Sequence, residues 1–513
     1  MTTDNPTLGT APFTHPQSAI GRWLSRAASD RLGQFLILLA FALLIRSPTF
    51  GLWNYDIDDQ FYDLVGRRLL AGDMLYVDIW DRKGPGLYLF YAALAAISSS
   101  PLGYQLAATA CAATAGYATT RIASLLTKPG PALLAGLCYC ALLNQFGGEN
   151  GQAPVIYNLL VAAAVWAIAA HMQDLREGRV GTIVFAGMFV VGIAITFKQS
   201  VAIEAAFLGL FLAIVLWRSP CGKPRALAYL TLLALAVAAP MLATFGWFAT
   251  KGHFAAMWQA LVSSNLDRTY YSPAERIWYL MVLGGRLAPL LAFAVLGIRT
   301  LALRKQDRPE SETIFTFILL WAAASIVAVV IFPAVFLHYA LPLLAPLCIL
   351  AAPFFARPQI GPIAGMLTIA TALVLGGTPQ QLLRSSTRDE TARFESYVRT
   401  QSPAHRIFVW GVPTALYSRL HSRPPSPILF APHYYELSES MATGHDPQTE
   451  LRRILDWRPE AVVVQNPLAI LDRNRTTLAM LQDYVSHCRK VRRFELNDHL
   501  GPQVQWVYSD CAR

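Results

Sequence analysis

Charge is scarce in this chain. Of 513 residues only 14% are Asp, Glu, Lys or Arg, against 54% hydrophobic. Soluble globular domains carry about a quarter charged residues, so that class is excluded and a polytopic membrane protein remains. Acids are the scarcer sign, 32 against 42 Lys plus Arg, which gives a net charge of +10. The basic excess is scattered through short loops and forms no stripe interleaved with aromatics. It therefore reads as an orientation signal and a source of phosphate contacts, with no nucleic-acid partner. Cysteine is limited to 7 residues, five of them in apolar runs or a short loop (Cys111, Cys138, Cys140, Cys348 and Cys221). No P-loop, His-Glu-x-x-His or Gly-x-Ser-x-Gly signature occurs in a suitable strand and helix context.

What is abundant is apolar sequence of spanning length, about 17 to 25 residues. Such runs lie at 32–50, 103–126, 130–146, 154–172, 180–197, 200–217, 227–249, 277–298, 313–333, 338–355 and 361–377. Residues 1–31 are polar, carry Arg22, Arg26 and Arg31, and precede the first run as a tail ahead of a retained signal-anchor. The stretch 85–99 is short and opens on a helix breaker. If it does not cross, Arg121, Lys128, Arg176, Arg179, Arg218, Lys223, Arg225, Arg299, Arg304, Lys305, Arg308 and Arg357 all fall on the N-terminal side. The positive-inside rule then predicts eleven spans, a cytoplasmic N-terminus, and 85–99 lying along the outer surface. Positions 51–102 become one external loop, with a second amphipathic helix over 59–71 that sets Phe61, Leu64, Val65 and Leu69 against Asp59, Asp63 and Arg67. Asp63 and Arg67 are an i, i+4 pair.

After residue 378 the runs shorten and Arg becomes frequent. Arg406–Trp410 and Ala461–Gln465 read as buried strands, with a helix over Gln448–Trp457 between them. The expected domains are thus a cytoplasmic tail (1–31), a membrane domain (32–377) containing the external loop 51–102, and an extracytoplasmic α/β domain (378–513). A terminal hairpin centred near His499 would set Cys488 opposite Cys511, so a disulfide is expected.

Acids gather just outside the first span, in Asn54-Tyr55-Asp56-Ile57-Asp58-Asp59-Gln60, followed by Asp78-Ile79-Trp80-Asp81-Arg82-Lys83-Gly84-Pro85. Carboxylates at a membrane surface, with a cation one loop away, suit deprotonation of an alcohol and stabilisation of a departing phosphate. Asp58 is the candidate base, with Asp56 and Asp59 as rivals; as Asp58 precedes an amphipathic helix, its alternative role is an N-cap. Asp56-x-Asp58 also has the form that holds a divalent ion, although no metal or other cofactor is firmly implied. Asp78 and Asp81 could orient an acceptor or pair with Arg82, Asp78 ranking higher and Asp81 having a solvated loop charge as its plain alternative. Lys83 and Lys198 are candidates for the leaving phosphate, with snorkelling as the plain alternative for Lys198. The turn 147–152 offers Glu149 and Gln152. Segment 250–276 offers Arg268 with His253, Trp258, Asn265, Tyr270 and Tyr271. His338 and Tyr339 either reach the phosphate or anchor the interface. Glu204 and Arg286, deeper in spans, are expected to pair with each other.

The run Asp58-Asp59-Gln60-Phe61-Tyr62 with Arg67, Gly72, Tyr76-Val77-Asp78 and Lys83-Gly84-Pro85 resembles the first external loop of bacterial membrane glycosyltransferases. These are the protein O-mannosyltransferase and aminoarabinose transferase group of the C-type superfold. Thr196-Phe197-Lys198-Gln199, His338 to Pro346, and Val409-Trp410-Gly411 with Pro413 and Tyr417 extend the likeness over about residues 50–470. Asp59 stands for the group's usual Glu and Gly84 for its first Pro. The resemblance implies a mainly α polytopic membrane protein of that superfold with a small C-terminal α/β domain. It also implies a polyprenyl-phosphate sugar donor, inverting transfer to a glycan, lipid or protein acceptor at the bacterial inner membrane, and Asp58 as base. A transporter or flippase of lipid-linked sugars, or a noncatalytic envelope-assembly subunit, is the competing class.

Overall fold

The computed structural model describes residues 30–268, 272–303, 309–332, 335–383, 387–411, 413–465, 474–498 and 501–511. Most of the N-terminal tail, Tyr270, Tyr271, Arg304, Lys305, Arg308 and His499 lie outside the described residues. All eleven apolar runs are helical. In chain order, including the first loop, the elements are α1 (Arg31–Arg46), α2 (Ile57–Leu70), α3 (Pro85–Ile97), α4 (Leu102–Ala123), α5 (Pro129–Gln145), α6 (Ala153–Ala170) and α7 (Thr182–Ile195). They continue through α8 (Val201–Arg218), α9 (Lys223–Thr250), α10 (Pro273–Leu303), α11 (Pro309–Val330), α12 (Leu341–Phe355) and α13 (Ile360–Leu375).

Length and composition alone qualify seven of these to cross a bilayer, namely α1, α6 and α8 to α12; α7 and α13 are equally apolar but shorter. Helix α4 is rich in Ala and Thr, and α5 meets it through its own small residues. A side chain on Gly136 would meet Gly116 O at 2.6 Å, the small-residue contact that lets membrane helices approach.

Alternate junctions of the bundle converge on one face. The Arg46 guanidinium at the end of α1 donates to Gly148 O (2.5 Å) and Asn150 O (2.7 Å) in the α5–α6 turn. Gly86 N, at the start of α3, donates to Thr196 O after α7 at 3.0 Å. The Gln199 amide donates to Arg82 O (2.8 Å) and to Leu261 O (3.4 Å) in the segment after α9. Asn144 reaches Thr378 after α13 at 3.2 Å. Such convergence is met when each intervening group of helices leaves that face and returns to it, and the first loop sits on that face with α2 and α3 packed together. The chain is a polytopic, mainly helical membrane protein.

The C-terminal region adds α14 (Thr387–Gln401), β1 (Ile407–Trp410), α15 (Pro447–Asp456), β2 (Ala461–Gln465), α16 (Arg475–Ser486), β3 (Cys488–Asp498) and β4 (Gly501–Cys511). The sheet order is β1-β2-β4-β3, with β1 parallel to β2 through the α15 crossover and the rest antiparallel. Val462 on β2 packs with Phe408, Trp410, Tyr434 and Ile454 in the domain core. Cys488 and Cys511 face each other in register at the open end of the hairpin and are bonded.

This domain covers the first loop. Trp80 N donates to Pro427 O at 2.9 Å, the Phe61 and Phe430 rings lie 4.9 Å apart, Trp80 stands edge-on to His433 at 4.8 Å, and Arg423 pairs with Asp73. Asp59, placed by periodicity on the polar side of α2, is only 1% exposed because it packs against the α5–α6 turn, where Gly151 N donates to its carboxylate.

The Gly84 departure from proline has a steric cause. A Cβ there would lie 2.1 Å from Thr196 O, so the loop can press against the α7–α8 junction only without a side chain. Gly84→Ala is expected to destabilise the protein by about 1–3 kcal/mol through overpacking, read as a lower thermal midpoint in detergent. An unchanged midpoint would contradict this packing.

Candidate functional site

The site is built from α2 upward. Asp56 is the residue that caps α2, its carboxylate accepting from Asp58 N at 2.7 Å. The capping alternative for Asp58 is thereby overturned, and a metal held between Asp56 and Asp58 would compete with the cap. Asp58, in the first turn, points its carboxylate across to the α5–α6 turn and the second half of the loop. Its Oδ2 accepts from the Gln152 amide at 2.5 Å, and its Oδ1 lies 3.6 Å from Lys83 Nζ. Lys83 Nζ is equally 3.6 Å from Asp81 Oδ2 and 4.8 Å from the Tyr62 ring centre. The Tyr88 hydroxyl donates to Asp81.

Electrostatics separate the three candidate acids. Burial pushes the Asp58 carboxyl up, but Lys83, His338, the Gln152 hydrogen bond and Lys198 together outweigh it and hold the pKa at about 2. Asp59 goes the other way. Burial and the charge of Asp56 raise it well above the usual carboxylate range, opposed only in part by Gly151 N, which donates to it at 3.3 Å. Asp59 thus faces the turn backbone and favours the protonated form, whereas Asp58 is ionised beside the cations. Burial lowers the affinity of Lys83 for its proton, yet Asp81 and Asp58 raise it above the ordinary lysine value, so Lys83 stays charged.

Lys198 sits between α7 and α8, its Nζ 4.2 Å from the Tyr339 ring centre. Among the described residues it has no carboxylate within ion-pair distance, and burial, then repulsion from Lys83 and Arg268, bring it down to about 7 despite Asp58. Arg268 pairs with Glu439 of the C-terminal domain, which also takes Arg82 at 2.7 Å. Burial opposes the Glu439 charge, but Arg82 and Arg268 hold its pKa at about 2. His433 is pushed down to about 3 by burial and by Arg82, so it stays neutral. Arg82, Lys83 and Arg268 thus stand beside Asp58, Asp81 and Glu439, and Lys198, desolvated and with no carboxylate at ion-pair distance among the described residues, is a further cation when protonated. The surplus positive charge suits an anion in a partly dehydrated setting.

The structure therefore gathers Asp58, Lys83, Gln152, Lys198, Arg268 and Tyr339, with His338 within electrostatic reach of Asp58. Glu149 is 5% exposed in the turn whose carbonyls Arg46 holds. Asp78, ranked above Asp81 on sequence, is exposed and accepts from Met74 N at 2.7 Å. That ranking is corrected: Asp78 closes a local turn, while Asp81 is 2% exposed beside Lys83. Among the described residues of segment 250–276, Trp258 packs on Phe254 (5.8 Å), Asn265 bonds back to Leu261 O (2.9 Å) and Arg268 joins the site through Glu439. Glu204 and Arg286 do not pair with each other as expected. Glu204 accepts from Trp321 Nε1 (2.9 Å) and Ser325 (3.4 Å), and Arg286 exchanges contacts with Gln145. Sequence reasoning missed Glu439, Tyr62 and Tyr88 as members of the site, and it offered Arg82 to Asp78 or Asp81, whereas Arg82 pairs with Glu439. Tyr88, five residues after Lys83, was open to notice, whereas Glu439 comes from a remote loop with no motif.

A helical bundle capped by two loop helices and an α/β domain is the architecture that the first loop implied. No family model and no curated protein matches the sequence. The fold is that of ArnT from Cupriavidus metallidurans bound to undecaprenyl phosphate, at TM-score 0.56 and 12% identity over 92% of this chain and 97% of that one. The apo state of ArnT gives 0.57 and 12% over 93% and 98%.

The Lys198 environment predicts a pH signature. Folding lowers its pKa to about 7 from the usual lysine range, so between the two values the unfolded chain binds more protons and stability rises with pH. Lys198→Met should exceed the parent in stability most near pH 6, with the difference narrowing as pH rises above about 7 and closing only near the ordinary lysine value of 10.5. A difference that is independent of pH would show that the lysine is not desolvated.

Proposed function

We propose that this protein is an inverting glycosyltransferase. It moves a sugar from a polyprenyl-phosphate carrier to a hydroxyl or amine of a cell-envelope glycan, lipid or protein at the outer face of the bacterial cytoplasmic membrane. The carrying observation is the ionised Asp58 carboxylate, held between Gln152 and Lys83 beside a buried lysine that lacks a carboxylate partner. The shared fold with a protein solved with undecaprenyl phosphate supports the same class of lipid here.

In the proposed step Asp58 accepts the acceptor's proton as the oxygen or nitrogen forms its bond to the anomeric carbon. The bond from that carbon to the phosphate oxygen breaks, and its electron pair leaves with the lipid phosphate. Lys83, Lys198 and Arg268, with Tyr339 beside them, receive that charge. A carboxylate at about 2 is a weak base. The 3.6 Å contact with Lys83 is a loose ion pair, however, and a bound phosphate competes for the ammonium. Donor binding would then raise the basicity of Asp58 at the moment it is needed, leaving Gln152 to orient it.

Orientation follows from the charges at the other end of the bundle. Arg121, Lys128, Arg176, Arg179, Arg218, Lys223, Arg225, Arg299 and Arg357 lie at or beyond the helix ends away from the first loop, which supports the reading that this end is cytoplasmic. The proposed domains are a cytoplasmic tail at 1–31, the membrane-embedded transferase at 32–377 with its external loop 51–102, and an extracytoplasmic lid at 378–513. Membrane lipids surround the bundle.

Asp58→Asn is expected to reduce transfer at least a thousandfold while membrane insertion and expression stay at parental level. The assay supplies purified protein with radiolabelled polyprenyl-phosphate sugars and an envelope extract as acceptor. Full transfer in that variant would reassign the base. Translocation of label without transfer would favour a flippase, and neither activity with any donor would favour an assembly subunit.

A further inference from the structure

The terminal hairpin carries a charge run that the transfer site does not use. Arg489-Lys490-Val491-Arg492-Arg493 puts four cations into five residues of β3, and all five are exposed. Only Arg493 has a carboxylate at ion-pair distance among the described residues, Glu495 at 3.3 Å. In the sheet order β1-β2-β4-β3 this strand is an edge. Cations on an edge strand deter pairing with another chain, which is the plain explanation of the run.

That explanation leaves the neighbouring aromatics unaccounted for. Directly opposite residues of an antiparallel pair share a face, and the register sets Val491 against Tyr508 and Arg493 against Trp506. By alternation Arg489 stands on the same face, while Lys490 and Arg492 stand on the other, where Arg492 lies over the Tyr397 ring of α14 at 4.6 Å. Val462 and Val464 of β2 continue the aromatic face, since they pair with Tyr508 and Trp506. Helix α16 covers it there, burying Leu481 with Phe408, Trp410 and Val462. The cover gives out at β4. Tyr508 and Trp506 are partly exposed, and Val491 is 50% exposed.

The result is a ledge with an aromatic floor and guanidiniums along its outer edge, Arg489 and Arg493 being about 13 Å apart at roughly 3.3 Å per residue. The Cys488–Cys511 bond clamps one end of the hairpin, and the Asn54 amide, donating to Asn497 O at 3.4 Å, holds the other against the first loop. Flat rings beside cations complement a sugar that carries a carboxylate, because the rings offer apolar area to its C–H face while a guanidinium takes the acid through two parallel N–H groups. A bilayer fits less well. Docking on lipid needs several protruding large apolar side chains, and Val491 is the one exposed large hydrophobic among the described residues of the hairpin.

We propose that this ledge is a binding surface for an acidic saccharide, apart from the transfer cleft, and that it holds the glycan of the acceptor. The acceptor role rests on the transferase reading; the binding surface does not.

The test uses the full-length protein in phosphatidylcholine nanodiscs and titration calorimetry with hexagalacturonate, with maltohexaose as the neutral comparator. Hexagalacturonate is expected to bind saturably, with maltohexaose at least tenfold weaker. Arg493→Gln and Trp506→Leu should each weaken hexagalacturonate binding at least fivefold. Arg452→Gln, which removes an exposed cation from α15, and Asp58→Asn should bind it like the parent. No saturable heat in the parent, equal binding of maltohexaose, or unchanged binding in Arg493→Gln would each overturn the surface. An equal loss in Arg452→Gln would overturn it by reducing the effect to net charge, and an equal loss in Asp58→Asn by placing the saccharide in the transfer cleft. Arg493-dependent capture by phosphatidylglycerol vesicles without hexagalacturonate binding would overturn it in favour of a lipid-facing role. Binding that depends on Arg493 in a protein that transfers no sugar from any donor would sink the transferase reading and leave this surface standing.

Discussion

The contact between Lys83 and Asp58, 3.6 Å apart in a largely buried setting, depends on nearly everything around it. Two charges taken out of water lose several kcal/mol of hydration each, roughly, and recover it only where further partners complete them. Gln152 and the Tyr62 ring supply those partners, and Asp81 shares the lysine. The loop that carries Lys83 must therefore be pressed against the α7–α8 junction, and Gly84 permits that approach. Looseness in this pair, rather than strength, is what leaves the lysine able to exchange one anion for another.

The α/β domain is part of this electrostatic arrangement. Glu439 neutralises Arg82 and Arg268 from above, and the hydrogen bond from Trp80 to Pro427 ties the lid to the same loop. Without the lid two guanidiniums would sit unpaired beside Lys198. With it, the surplus charge is concentrated toward the membrane-side lysine, where a lipid phosphate would arrive.

Much of the architecture was legible because a bilayer imposes a length on apolar helices. All eleven runs are helices, the α/β switch after residue 378 is present, and the strands at 407–410 and 461–465 lie where alternation with turn signals placed them. Asp58, Lys83 and Lys198 were legible through the first-loop pattern and through a lysine placed against the usual charge bias. Asp78 misled because its spacing fits the pattern while its carboxylate satisfies a local amide. Asp81, three residues on, turns inward because the bridge between Leu75 and Ile79 folds the loop back on itself. The Glu204–Arg286 pairing failed for a related reason: each found nearer partners, Trp321 and Ser325 for one and Gln145 for the other.

Sequence alone determined that this chain crosses a membrane many times, where its positive charge collects, and which short loop concentrates acids beside a cation. These follow from composition and from local periodicity. Tertiary structure decided which acid is ionised and which favours its proton, since Asp58 and Asp59 are adjacent, identical in chemistry, and separated only by which way the α2 turn points them. It also decided that Glu439, 381 residues after Asp58, joins the site by pairing with Arg82 and Arg268. Burial and long-range charge are properties of the packed whole, and no window of sequence contains them.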